Sequence, residues 1–200
     1  MNSIRLTVKF FIQEPESVHL HDFVQVFHRW IQNKTVAGLL IDVADYRHIH
    51  HGPGVILIGD QVDYALDLDG GCPGLLLRRK RLSLAGTTLR QALHEALLQA
   101  LRACQALEMD NDLQGRISFS TGEVEIAVQD RLYAPNSAES FNAARIDLSP
   151  VLEKLYSTSS LEFRRLSVDP REALGFSVHV PDEPGLPTLV HNLETASVAL

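Results

Sequence analysis

The stretch from Thr87 to Leu107 constrains this chain more than any other. Leu89, Ala92, Leu93, Ala96, Leu97, Ala100, Leu101 and Cys104 recur at helical spacing, which places them along one face of a long helix. Thr87 or Thr88 precedes the stripe as an N-cap. A stripe so apolar has to be buried, and the flanking sequence offers sheet to bury it against. The pattern predicts a central core helix.

Runs of period two surround it. Ile4 to Ile12 alternates into an apolar stretch, and Leu39–Val43 reads as a short buried strand. Val55–Ile58, a Gly59-Asp60 turn and Val62–Leu68 read as a hairpin, followed by Leu75–Leu77 as a third strand. Arg116–Ser120 with Glu123–Val128 reads as a second hairpin, and Leu161–Val168 with Leu174–Val180 as a further strand pair. A first amphipathic helix, capped by Ser17, carries Leu20, Phe23, Val24, Phe27, Trp30 and Ile31. Ser137 caps a segment containing Phe141 and Ala144. Ser149-Pro150 opens a separate short helix to Tyr156. After a Pro/Gly linker, Leu189, Val190 and Leu193 mark a weak terminal helix.

Hairpins alternating with helices, in place of regular βαβ units, predict an α+β fold: a mostly antiparallel sheet built from hairpins with helices packed on it. Two hundred residues suit one domain, divisible into sub-lobes 1–110 and 111–180, with 181–200 as linker and short terminal helix. An offset of 62 positions superposes the two hairpins without a gap, with Val62, Ala65 and Pro73 falling on Val124, Ala127 and Pro135. That overlay raises a pseudo-duplicated hairpin–loop–helix unit as an expectation.

The net charge of −7 excludes a broad electrostatic surface for nucleic acid or anionic membrane. Two cysteines, Cys72 and Cys104, make no disulfide framework. No apolar run is long enough for a transmembrane helix, and the first residues lack a signal-peptide pattern. A cytoplasmic location is the resulting expectation.

Chemistry-bearing residues concentrate between Asp42 and Arg81. In an extended segment His48 and His50 project to one side, roughly 6–7 Å apart between Cα atoms. With Asp45 or Asp42 they form a candidate divalent metal site. The run Arg78, Arg79, Lys80 and Arg81 is a candidate site for an anionic ligand or a protein partner. In the hairpin's second strand Asp63, Ala65, Asp67 and Asp69 share the face opposite Val62, Tyr64, Leu66 and Leu68, which reads as a solvated acidic face. The glycine loops at 51–54 and 69–74 match no phosphate-binding pattern, and Cys72 has no base fixed beside it by sequence. No catalytic motif is present.

Asp42-Val-Ala-Asp-Tyr46, with Gly52-Pro-Gly-Val55, Asp63-Tyr-Ala-Leu-Asp67 and Gly74-Leu75, resembles a family of bacterial proteins of about this length. The resemblance extends through the second hairpin and Leu132-Tyr-Ala-Pro-Asn136. That family has no assigned activity, so the resemblance implies a stand-alone bacterial-type protein and no catalytic residue. The residues favour a non-enzymatic binding or accessory protein that uses the Asp42–Gly54 loop and the Arg78–Arg81 run. The alternative is a metal-dependent enzyme with His48, His50 and Asp45 as ligands.

Overall fold

The computed structural model describes residues 5–49, 52–80, 87–113 and 115–195. In chain order the elements are β1 (Leu6–Phe11), α1 (Leu20–Asn33), β2 (Leu40–Asp45), β3 (Val55–Gly59), β4 (Val62–Asp67), β5 (Gly74–Arg79), α2 (Leu89–Glu108), β6 (Glu123–Val128), α3 (Ala138–Tyr156), β7 (Glu162–Arg165), β8 (Leu174–His179) and α4 (Leu186–Glu194). The eight strands form one sheet in the order β2-β3-β4-β5-β1-β6-β8-β7, antiparallel at every pairing. The fold is α+β, as the alternation of hairpins and helices predicts.

Period two sorts each strand into two faces. Leu6, Val8 and Phe10 of β1 align with Leu75 and Leu77 of β5 and with Ile126 and Val128 of β6. Leu57, Tyr64, Leu66, Leu174, Phe176 and Val178 continue this face, and all are essentially buried. Helix α2 lies across β1 and β5, α1 packs on β2 and β3, and α3 and α4 pack on α2. The long apolar stripe is therefore the centre of the core, as its pattern predicts. Thr88 accepts from the Gln91 backbone N–H while the Gln91 side chain accepts from the Thr88 backbone N–H, a complete capping box.

Three local expectations are corrected. Residues 116–120 form no strand paired with β6; β6 instead lies between β1 and β8. Phe119 makes a single bridge to Ile12, and its N–H is taken by the Glu108 carboxylate. The pseudo-duplicated hairpin therefore does not form, and β1 joins the two halves of the chain inside one sheet. Ser149-Pro150 starts no new helix, because α3 runs unbroken past it. Proline removes the donor for the Ile146 carbonyl, but Ile146 is 69% exposed, so water can satisfy that group. Finally, α1 begins at Leu20, after a 3-10 turn at Pro15–Ser17.

Candidate functional site

Of the proposed metal ligands, the two aspartates do not converge. Asp42 stands opposite Ile58 and Asp45 opposite Val55, three positions apart along β2, so their side chains leave opposite faces of the strand. Each carboxylate also has a local task. Asp42 accepts from the Val43 backbone N–H at 2.8 Å, at the open edge of the sheet. Asp45 accepts from the Arg47 backbone N–H and from its guanidinium at 2.5–2.8 Å. Those hydrogen bonds from Arg47 hold the Asp45 carboxyl down at about 2. Leu40–Asp45 is strand, so the loop proper is Tyr46–Gly54, which opens with the Tyr46 N–H donating to the Gly54 carbonyl. His48 sits in its first turn, while His50 lies outside the described residues. Among the described residues no three His, Cys, Asp or Glu side chains are grouped to hold a metal ion.

The basic run is divided by the same alternation. Arg79 points to the helix side, is buried, and pairs with Glu95 of α2 at 2.7 Å. Arg78 and Lys80 point to the other side. Lys80 pairs with Asp63 and donates to the Gly59 carbonyl, both at 2.7 Å. Arg78 is exposed, and among the described residues it makes no ion pair. Arg81 lies outside the described residues. Among the described residues of the run, Arg79 and Lys80 are each paired and Arg78 is not.

That guanidinium belongs to a groove on the sheet face away from the helices. The groove holds about 700 Å³ and crosses β4, β5, β1 and β6. Strand register builds its floor: Lys9 lies between Leu76 and Glu125, and Thr7 between Arg78 and Ala127. Phe11 and the loop Asp69–Pro73 close one end, and Gln129 lines the other.

Lys9 is the centre of this floor. Only 5% exposed, it reaches the Asp67 carboxylate at 2.6 Å and the Asp69 carbonyl at 3.4 Å, with its ammonium 5.3 Å from the Phe11 ring centroid. Gly74 makes room for this reach. A Cβ there would lie 2.5 Å from the Phe10 carbonyl oxygen and 3.0–3.2 Å from the Lys9 stem. Asp67 and Asp63 are thus buried partners of lysines, which corrects the reading of a solvated acidic face. A charge taken this far out of water persists only when paired.

Glu125 faces Lys9 across the β1–β6 pair without a hydrogen bond to it. Burial pushes its carboxyl above the usual range; nearby Lys9 opposes that shift, while Glu123, Asp67 and Asp69 reinforce it. Asp67, Asp69, Glu123 and Glu125 therefore line the groove together with Lys9, and Arg78 lies one like-facing step along, opposite Thr7. Lys9, Glu123 and Glu125 are absent from the residues that sequence reasoning singles out. The available signal is the alternation of Arg5, Thr7 and Lys9 against Leu6, Val8 and Phe10, which marks a polar face within an apolar strand.

No protein-family model matches this chain, and searches of curated proteins and of solved structures find no match either. Among the described residues no helix is long and apolar enough to cross a membrane.

Proposed function

We propose that this protein is a non-enzymatic binding protein whose ligand surface is the helix-free face of its sheet, centred on Lys9. The observation that supports this is the buried Lys9–Asp67 ion pair on the floor of a groove that no helix covers. Burying an ion pair on an open face costs stability that an apolar pair would not cost, so its presence there is better explained by recognition than by folding. Concave sites with an apolar body and a few fixed polar groups are the usual form of small-ligand sites. Here Phe11, Ile12 and Leu76 supply the apolar part and the charged residues supply the orientation. Among the described residues this surface takes Arg78 from the basic run and no residue from the Tyr46–Gly54 loop.

The test is a thermal-shift screen of charged small metabolites against the wild type and a Leu76→Trp variant, whose indole fills the groove. Compounds that raise the melting temperature of the wild type alone support the proposal. A stabilising compound that acts equally on both proteins would remove the groove from consideration.

A further inference from the structure

We infer that the groove takes an extended zwitterion of the basic-dipeptide class, with ammonium groups toward Glu123 and Glu125 and a carboxylate toward Arg78. This rests on the reading of the groove as the ligand surface and says what that surface selects.

Unpaired charge is segregated along the groove. Lys9 and Asp67 neutralise each other at 2.6 Å, so neither is available as a full counter-charge. What remains on one side is Glu123 and Glu125, with Asp69, whose carboxylate among the described residues accepts from the Gly70 N–H alone. What remains on the other is Arg78, between Thr7, whose hydroxyl accepts from Gln129 at 3.4 Å, and Asp63, whose carboxylate is already paired with Lys80. The excess is three carboxylates against one guanidinium, so the complementary ligand carries more positive than negative charge. A simple anion would meet the carboxylates, and a simple cation would leave Arg78 without a partner.

Register fixes the spacing. Arg78 and Glu125 are two strands and one like-facing step apart, about 12 Å between Cα atoms from the usual strand spacing and rise. Both residues line the groove, and a separation of this order is one that an extended dipeptide with its side chain spans. The floor between them is Leu76 and the aliphatic stem of Lys9, against which an alkyl side chain packs. The half-buried carboxyl of Glu125, raised by burial and by its acidic neighbours, gains most from an incoming ammonium.

Calorimetric titration with Lys-Ala tests this against two controls, Lys-Ala amide, which lacks the carboxylate, and acetyl-norleucyl-alanine, which lacks both ammonium groups. Lys-Ala should bind the wild type about tenfold more tightly than either control, the worth of one charge-assisted contact. Arg78→Met should erase the preference over the amide while keeping the preference over the acetyl-norleucyl control, and Glu125→Gln should do the reverse. Equal affinity for all three compounds, or no binding of Lys-Ala, overturns the zwitterion. If one control alone binds and Leu76→Trp abolishes it, the zwitterion is wrong and the groove stands. Binding that survives Leu76→Trp sinks both.

Discussion

The two faces of the sheet solve burial in opposite ways. On the helix side Leu6, Val8, Phe10, Phe176 and their neighbours are buried together with α2, and shape complementarity does the stabilising. On the open side Lys9, Asp63 and Asp67 are nearly as buried, yet each is charged and held in an ion pair. The covered face should respond to lost volume, and the open face to lost pairing. Arg78 and Arg79, adjacent in sequence, fall on either side of that division.

The largest effect belongs to the covered face. Phe176 packs against Phe141 and Phe163 at ring-centroid distances of 6.1 and 5.9 Å, and Phe176→Ala should cost about 3–5 kcal/mol in urea unfolding. A loss under about 1 kcal/mol would mean that this region is loosely packed.

Next comes the ion pair. Asp67→Ala removes the carboxylate ion-paired with buried Lys9 and should cost about 3 kcal/mol, whereas the double variant Lys9→Met/Asp67→Leu should recover most of that loss. Failure of the double variant to recover would show that the pair itself holds the sheet together, and the case for recognition would weaken. The neighbouring arginines follow. Arg79→Ala removes a stem packed beneath α2 and should cost roughly 1–2 kcal/mol, while Arg78→Ala should change stability by less than about 0.5 kcal/mol. Equal losses would contradict the division of the run between faces.

Glu125→Gln gives the smallest change and reads out through pH. Because the folded carboxyl titrates above its ordinary value of 4.5, the native state binds the proton more tightly than the unfolded one. Stability from this group is therefore present below the ordinary value and declines as pH rises through the folded one. Glu125→Gln should raise the melting temperature slightly at pH 7 and leave it unchanged near pH 4. An equal shift at both values would assign the effect to something other than ionisation.

Sequence periodicity locates β3, β4, β5, β8 and α2 because each is decided by local alternation and capping. The groove is harder to read, since Lys9 and Asp67 are 58 residues apart and period two says which face a residue takes without saying what crosses it. The division of Arg78 from Arg79 is missed because the strand is read as ending at Leu77, whereas β5 runs on to Arg79 and consecutive strand residues cannot share a face. The false second hairpin arose from an ordinary apolar pattern at 117–119, where a bond from Phe119 to Glu108 decides the outcome. Spacing alone likewise does not reveal that Asp45 is held by Arg47.

The position of β1 bears on how the chain is assembled during synthesis. Leu6–Phe11 precedes the other seven strands of the sheet in the chain, yet it sits in the interior of the sheet, between β5 and β6. Its second neighbour does not exist until Val128 has emerged. Throughout that interval the nascent chain carries an apolar strand with one bare edge, the species most prone to pairing with the wrong molecule. A fragment ending near residue 110 should accordingly aggregate when expressed alone, and addition of β6 should be the step that restores solubility.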